Sequence, residues 1–253
     1  MIRVAVTGAT GRMGRAVIET AGARDDVEVA CAFNRDPQEE SVDGVPLRPT
    51  AEIGSALAET DADVVVDFTG PSTALDAVEA CVDADVPFVT GTTGFEDDEL
   101  AVLEEASAEI PVLKASNFAR GIQALLRTLS EAVATLPGYD IELTETHHNG
   151  KRDAPSGTAL TLLDEIAEQR DFDTQYGREG FQPREEGEIG VHVRRAGNVR
   201  GEHEIMFADN DEVVTLTHRA EDRGVFAAGS LDAAVWILDQ DAGYYDFGDV
   251  VDA

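Results

Sequence analysis

The sequence predicts an α/β fold in two parts: an N-terminal parallel sheet covered by helices on both faces, then a second α+β domain built on a mixed sheet. Three observations predict it. Short β-branched runs alternate with amphipathic helical stretches through the first half of the chain, which is the pattern of βαβ units. Three glycines at intervals of three follow the first of those runs directly. In the second half, strand-like segments succeed one another through tight turns, which parallel pairing alone does not allow.

Taken in order, Ile2 to Val6 alternates as a strand and ends in Thr7-Gly8, after which Arg15 to Ala21 continues as a helix. Val27 to Phe33, Val64 to Phe68 and Pro87 to Thr90 are the next strands, with helices at Thr73 to Cys81 and Asp97 to Ala108 between them. Pro111 to Ala115 closes this series. A long helical stretch, Gly121 to Leu136, leads into a strand at Asp140 to His147. Later strands are Glu188 to Arg195, Glu202 to Ala208 and Glu212 to Arg219, the last two joined by the turn residues Asp209-Asn210-Asp211. Asp171 to Gly187 is polar, glycine-containing and unpatterned, and reads as a long surface loop. Phe226 to Leu238 is a final helix able to return to either part. Assigning it to the first gives a dinucleotide-binding domain of residues 1–118 with 228–253, and a substrate-binding and oligomerisation domain of residues 119–227.

Bulk composition narrows the function classes. No apolar run approaches the roughly 20 residues that a membrane span needs. Met1 to Val6 reads straight into a strand, without the features of a signal peptide, so a cytoplasmic protein is expected. Cys31 and Cys81 lie in apolar segments without metal-ligand spacing, so they read as buried small hydrophobes and no metal site is expected. The 51 acidic residues against 19 basic ones give a formal net charge of -32. Such a surface repels nucleic acid and anionic membranes, which excludes both as partners. It also repels itself, and at about 1 M salt a Debye length of about 3 Å removes most of that repulsion. The charge is spread along the chain rather than gathered in a tail, which predicts a halophilic protein.

Gly8-Ala9-Thr10-Gly11-Arg12-Met13-Gly14 departs from the G-x-G-x-x-G spacing but sits between a strand and a helix. A tight turn there lets the backbone approach a pyrophosphate at the helix N-terminus, where amide groups and the helix dipole favour anions. The first part is therefore expected to be a Rossmann-type nucleotide domain. The second strand ends at Asn34-Arg35, where an acidic residue would ordinarily bind the adenosine ribose. With no carboxylate to oppose a 2′-phosphate, and with Arg35 and Arg12 or Arg15 able to pair with it by charge-assisted hydrogen bonds, NADPH is the expected cofactor and NADH a second one.

The run Glu145-Thr146-His147-His148-Asn149-Gly150-Lys151-Arg152-Asp153-Ala154-Pro155-Ser156-Gly157-Thr158 gathers acid/base and anion-binding residues at the end of a strand. It holds two of the five histidines and one of only two lysines in the chain. A lysine kept where arginine is otherwise preferred points to a specific task, either as a compact positive charge for a carboxylate or as a proton donor. Ser156 is a good N-cap, and Ala159, Leu160, Leu162, Leu163 and Ile166 form an apolar helix face behind it. Amides of Gly157 and Thr158 make a second anion site. Two such sites close in sequence imply a small dicarboxylate substrate.

These residues resemble the 4-hydroxy-tetrahydrodipicolinate reductase family, also called dihydrodipicolinate reductase. The resemblance includes Gly8 to Gly14, Asp67-Phe68-Thr69 with Pro71, Gly91-Thr92-Thr93-Gly94-Phe95, Ser116-Asn117-Phe118, Glu145 to Ala159, and Gly201-Glu202-His203 with Met206-Phe207. It implies that His147 is the general acid/base and that Lys151 is its partner in proton donation and substrate binding. His148, Gly157 and Thr158 would be substrate contacts. Cofactor contacts would come from Gly8, Thr10, Gly11, Arg12, Met13, Gly14, Asn34, Arg35, Phe68 and Arg223, with Gly91, Thr93, Ala115, Asn117 and Phe118 bordering the nicotinamide. The implied reaction is hydride transfer to an unsaturated dipicolinate, giving tetrahydrodipicolinate in lysine (diaminopimelate) biosynthesis, by a homotetramer assembled through the second sheet. Departures from the family pattern are Asn34, which replaces an acidic residue, Ala119-Arg120 after Phe118, and Asn149-Gly150, which are less basic than is common there. Two other readings compete: an amino-acid or semialdehyde dehydrogenase, and a non-catalytic NADP-sensing protein. Cysteine-dependent members of the first need a thiol at the nicotinamide, and the intact His147, Lys151, Gly157 and Thr158 set argues against the second.

Overall fold

The computed structural model describes residues 1–253, which divide into two compact units, Met1–Ala119 with Arg223–Ala253, and Arg120–Asp222. The first unit runs β1 (Ile2–Thr7), α1 (Arg12–Gly22), β2 (Val27–Asn34), β3 (Ser41–Val42), β4 (Val45–Pro49), α2 (Ile53–Thr60), β5 (Val64–Asp67), α3 (Pro71–Ala84), β6 (Phe88–Thr90), α4 (Asp97–Ala106) and β7 (Pro111–Lys114). The second holds α5 (Arg120–Thr135), β8 (Asp140–His147), α6 (Gly157–Ala167), β9 (Asp173–Tyr176), β10 (Glu188–Arg195), β11 (Glu202–Asp209) and β12 (Glu212–Arg219). The chain then returns to the first unit with α7 (Gly224–Trp236), β13 (Gly243–Tyr245) and α8 (Phe247–Asp252).

Eight strands form the first sheet in the order β13-β7-β6-β5-β1-β2-β4-β3. All its pairings are parallel except β3 with β4. Strands buried on both faces need apolar residues at consecutive positions, and Val64-Val65-Val66 meets that demand with no exposed side chain. Val4, Val6, Val64, Val66, Val89 and Leu113 face one core with Val17 and Ile18 of α1 and Ala227 and Leu231 of α7. Ala5, Cys31, Phe33, Val65, Phe88 and Val112 face the other, against α2, α3 and α4. Cys31 and Cys81 are both free and buried there, and burial pushes each thiol up. The first unit resumes at Arg223 rather than at residue 228, because α7 is one unbroken helix whose buried residues belong to this core.

The second sheet is mixed, in the order β12-β11-β8-β10-β9. β8 pairs with β10 in parallel and with β11 antiparallel. Along β8, Ile141, Leu143, Glu145 and His147 point inward while the residues between them are more exposed, as a period of two requires. Asn210 and Asp211 turn β11 into β12 with φ of 52° and 61°, the left-handed pair that a two-residue hairpin needs. The expected loop at Asp171 to Gly187 contains β9, which pairs with β10. Four short polar residues at a sheet edge leave no hydrophobic alternation to read. No helix is long and apolar enough to cross a membrane.

Candidate active site

The glycine turn is built by steric exclusion. Gly8 has φ of 68°, and a Cβ there would strike the Phe68 carbonyl. One at Gly14 would strike the backbone of Gly8 and Ala9, and one at Gly11 would lie 3.0 Å from the Gly8 carbonyl oxygen. The Gly11 amide donates to that carbonyl at 2.8 Å, and α1 starts behind it without a side-chain cap. A helix start without a side-chain cap leaves its amides and positive dipole end for an anion. Beside it lies a cleft of about 320 Å³ lined by Gly8, Thr10, Gly11, Asn34, Arg35, Phe68, Thr69, Gly70 and Thr73.

Within that cleft, Asn34 Nδ2 donates to Thr10 Oγ1 at 2.6 Å and Arg35 Nη2 donates to Thr73 Oγ1 at 2.6 Å. Arg15 instead pairs with Glu39 at 2.7 Å and reaches the Thr10 carbonyl, so its charge is already matched. Gly70 and Thr73 were not singled out by sequence, and Thr69 was quoted only within the Asp67-Phe68-Thr69 motif, because only the β1–β5 pairing brings the start of α3 alongside the glycine turn.

Asp67 ends β5 fully buried, and its carboxylate accepts four hydroxyls: Thr7, Thr69 and Thr92 at 2.6 Å and Thr90 at 2.7 Å. Thr7, Asp67 and Thr90 are direct partners in the register of β1, β5 and β6. The knot therefore ties the glycine turn to the segments after β5 and β6. Of the Thr92-Thr93 pair, Thr92 is drawn into the knot and Thr93 is exposed. A Cβ on Gly91 would strike the Phe68 ring, so that glycine seats the ring. The Ala115 amide donates to the Thr90 carbonyl and Asn117 Oδ1 accepts the Ala119 amide. The Phe118 ring is 1% exposed and edge-on to Phe68 and Phe247, which packs its side chain in the core and leaves its main chain to border the segment after β7. Gly14 and most of Met13 likewise pack into the fold. Arg12 begins α1 and Arg223 precedes α7, both at helix N-termini.

In the second unit, Glu145 is fully buried and accepts four hydrogen bonds. His147 Nδ1 lies 2.6 Å from Oε2, Arg195 donates at 2.7 Å to each oxygen, and the Ser156 amide donates to Oε1 at 3.1 Å. Burial alone would raise this carboxyl, but the bonds from His147 and Arg195 override it and hold it at about 2. With Nδ1 committed to Glu145, Nε2 is the nitrogen of His147 left for chemistry. A Cβ on Gly201 would come within 3.2 Å of that Nε2. His203 stacks edge-on to His147 at 5.2 Å, with Nε2 3.0 Å from Ser156 Oγ. Burial, and then the neighbouring His147, push His203 down to about 3, so it stays neutral.

Ser156 caps α6 as expected, its Oγ accepting the Ala159 amide at 3.2 Å. Gly157 and Thr158 occupy the first turn of α6. Leu160 departs from the expected apolar face and is 44% exposed, since it is one position off the stripe of Ala159, Leu162, Leu163 and Ile166. His148 Nδ1 accepts the Gly150 amide at 3.2 Å. Lys151 is only partly exposed and pairs with Asp153 at 2.9 Å, not with His147. The other lysine, Lys114, ends β7 and burial pulls its ammonium down. Glu145, Arg195 and His203 were not given roles from sequence. The inward alternation along β8 was the one signal for Glu145, and Arg195 lies 50 residues further on, joined to it only by sheet register.

Residues 2–118 match the family model described as dihydrodipicolinate reductase, N-terminus, and residues 121–251 match the model for its C-terminus. The chain is 61% identical over 253 residues to the 4-hydroxy-tetrahydrodipicolinate reductase of Haloarcula marismortui, covering 100% of both. The same enzyme of Natronomonas pharaonis is 54% identical, over 99% of this chain and 100% of the relative. Among solved structures, dipicolinate-bound dihydrodipicolinate reductase from Paenisporosarcina sp. TG-14 superposes with a TM-score of 0.77 at 27% identity, over 97% of each chain. Two family models that together span nearly the whole chain, and relatives identical at more than half its positions, show that it belongs to the dihydrodipicolinate reductase family of oxidoreductases.

Proposed function

We propose that this protein reduces 4-hydroxy-tetrahydrodipicolinate, or the dihydrodipicolinate formed from it, to tetrahydrodipicolinate in lysine biosynthesis. The observation that carries the reading is the His147 ring held on the buried Glu145 carboxylate at 2.6 Å, with Lys151 and the start of α6 in the segment that follows. His147 acts as the general acid/base through Nε2. Lys151 and His148 bind one carboxylate of the substrate, and Gly157 and Thr158 at the start of α6 bind the other. A substrate carboxylate displaces Asp153 as the partner of Lys151, exchanging one ion pair for another, and the ammonium then opposes negative charge that develops on the ring.

The glycine turn, held close by the lack of side chains at Gly8 and Gly14 and leading into the uncapped start of α1, fits a dinucleotide pyrophosphate. When bound, the nicotinamide supplies the hydride. Gly8, Thr10, Gly11, Arg12, Met13 and Gly14 form the turn that receives the pyrophosphate, Asn34 and Arg35 receive the adenosine ribose, and Phe68, Gly91, Thr93, Ala115, Asn117, Phe118 and Arg223 complete the site. NADPH is the preferred form and NADH is usable, because Arg35 stands where no carboxylate opposes a 2′-phosphate. The working assembly is a homotetramer formed through the second sheet, expected in light scattering at four times the 27.0 kDa chain mass. The deciding assay follows absorbance at 340 nm with NADPH and freshly formed substrate. Oxidation of NADPH only when the cyclic dicarboxylate is present supports the reading, and none at any salt concentration refutes it.

A further inference from the structure

One carboxylate, Glu145, touches both halves of the proposed reaction centre. Its Oε2 meets His147 Nδ1 at 2.6 Å, and its Oε1 accepts the amide of Ser156, the residue that caps α6. Arg195 closes the other side of both oxygens at 2.7 Å and extends to the Asp153 carbonyl at 2.6 Å, so the loop between His147 and α6 is clamped at a third point. A buried carboxylate is tolerated only where its charge and lone pairs are met, and here four donors meet them. Nothing in this arrangement is needed merely to fill space. Leucine at this position would continue the apolar alternation of Ile141 and Leu143.

We infer that Glu145 is a positioning residue: it fixes His147 in the tautomer with the proton on Nδ1, and it keeps Nε2 in register with the anion site at the start of α6. Arg195 is its counter-charge. The inference rests on the reading of His147 as the acid/base group, and it can fail independently of that reading. Glu145→Gln shows why. An amide nitrogen in place of Oε1 would face two donors that cannot change, Arg195 and the Ser156 amide. In place of Oε2 it would face Arg195 and His147, and His147 can accept by moving its proton to Nε2. The variant is therefore expected to invert the tautomer, leaving at neutral pH an Nε2 that cannot accept a proton.

The test is ¹⁵N NMR of the imidazoles in histidine-labelled protein, at a pH where the His147 ring is neutral, together with steady-state kinetics. Wild type should show protonated Nδ1, and Glu145→Gln should show protonated Nε2. Its kcat should fall about a hundredfold or more, as expected for a misplaced acid/base group, while the KM for NADPH stays within about twofold. Glu145→Asp, which keeps the charge, should retain the Nδ1 tautomer and recover part of the lost kcat. A wild-type ring protonated on Nε2 overturns the inference without any variant, and so does Glu145→Gln with an unchanged tautomer and unchanged kcat. His147→Ala at wild-type kcat would instead remove the acid/base reading itself, and with it this inference.

Discussion

Arg35→Ala should weaken NADPH much more than NADH. Arg35 Nη2 rests on Thr73 Oγ1 at 2.6 Å at the rim of the cleft that holds Asn34 and the glycine turn. This leaves the rest of the guanidinium for a 2′-phosphate, which carries two charges where NADH has a hydroxyl. A charge-assisted hydrogen bond contributes about 1.5–3 kcal/mol, which is about a 10- to 150-fold rise in the NADPH constant. Thr73→Val keeps the shape and removes only the neutral anchor, about 0.5–1.5 kcal/mol, so about a 2- to 10-fold loss for NADPH is expected. Dissociation constants from fluorescence titration at fixed salt, with KM values for both cofactors, check this. Equal losses for NADPH and NADH would mean that Arg35 serves the fold or the shared pyrophosphate. A Thr73→Val protein identical to wild type would show that the anchor does not matter.

Lys151→Ala should lower kcat severely and leave NADPH binding and the melting temperature nearly unchanged, because the one partner it loses, Asp153, is itself half exposed; wild-type turnover would refute its role. Acid should destabilise the fold in two windows. His203 titrates at about 6.5 when unfolded and about 3 when folded. The unfolded chain therefore binds an extra proton between those values, and stability falls by about 1.4 kcal/mol per pH unit as pH drops through that range. Glu145, held at about 2 against 4.5, adds a similar loss between 4.5 and 2. Urea melts of His203→Gln should decline less steeply than wild type from pH 6.5 to 5, the remainder coming from His218, which burial also pulls down; parallel declines would refute the assignment. Lowering salt should also destabilise. At a net charge of -32 and about 0.01 M salt, a Debye length of about 30 Å leaves charges across a subunit unscreened, against a domain stability of only about 5–15 kcal/mol. A melting temperature flat from 0.02 to 2 M potassium chloride would contradict the halophilic reading.

What could be read from sequence was what periodicity and fixed local geometry encode. Val64-Val65-Val66 announces a strand buried on both faces, and Gly8, Gly11 and Gly14 announce a turn that no side chain can enter. The Ser156 cap and the helix behind it were equally local. Features that depend on register were not legible. Arg195 reaches Glu145 because β10 runs parallel to β8, with Arg195 opposite His147, and His203 reaches the site because β11 places it opposite Glu145. Edge strands were missed for a different reason: β9 buries too little to leave a pattern, and β13 and the β3–β4 hairpin are too short to show one although Val42, Val45, Leu47 and Tyr245 pack on the first core. The aromatic cluster of Phe118 with Phe68 and Phe247 was likewise illegible, because Phe247 lies 129 residues further along the chain.

The glycine turn has a consequence for how such an acidic chain can evolve. Its attraction for an anion comes from main-chain amides and the end of a helix, and these carry the same partial charges whatever side chains surround them. Lysines elsewhere can be exchanged and carboxylates added without altering that local field at its source. Recognition written into the backbone is thus shielded from drift in composition, whereas recognition resting on a side chain must be defended residue by residue. Only the second kind is exposed to selection for surface charge, and under the roles proposed above Lys151 and Arg35 are where such selection should have met resistance.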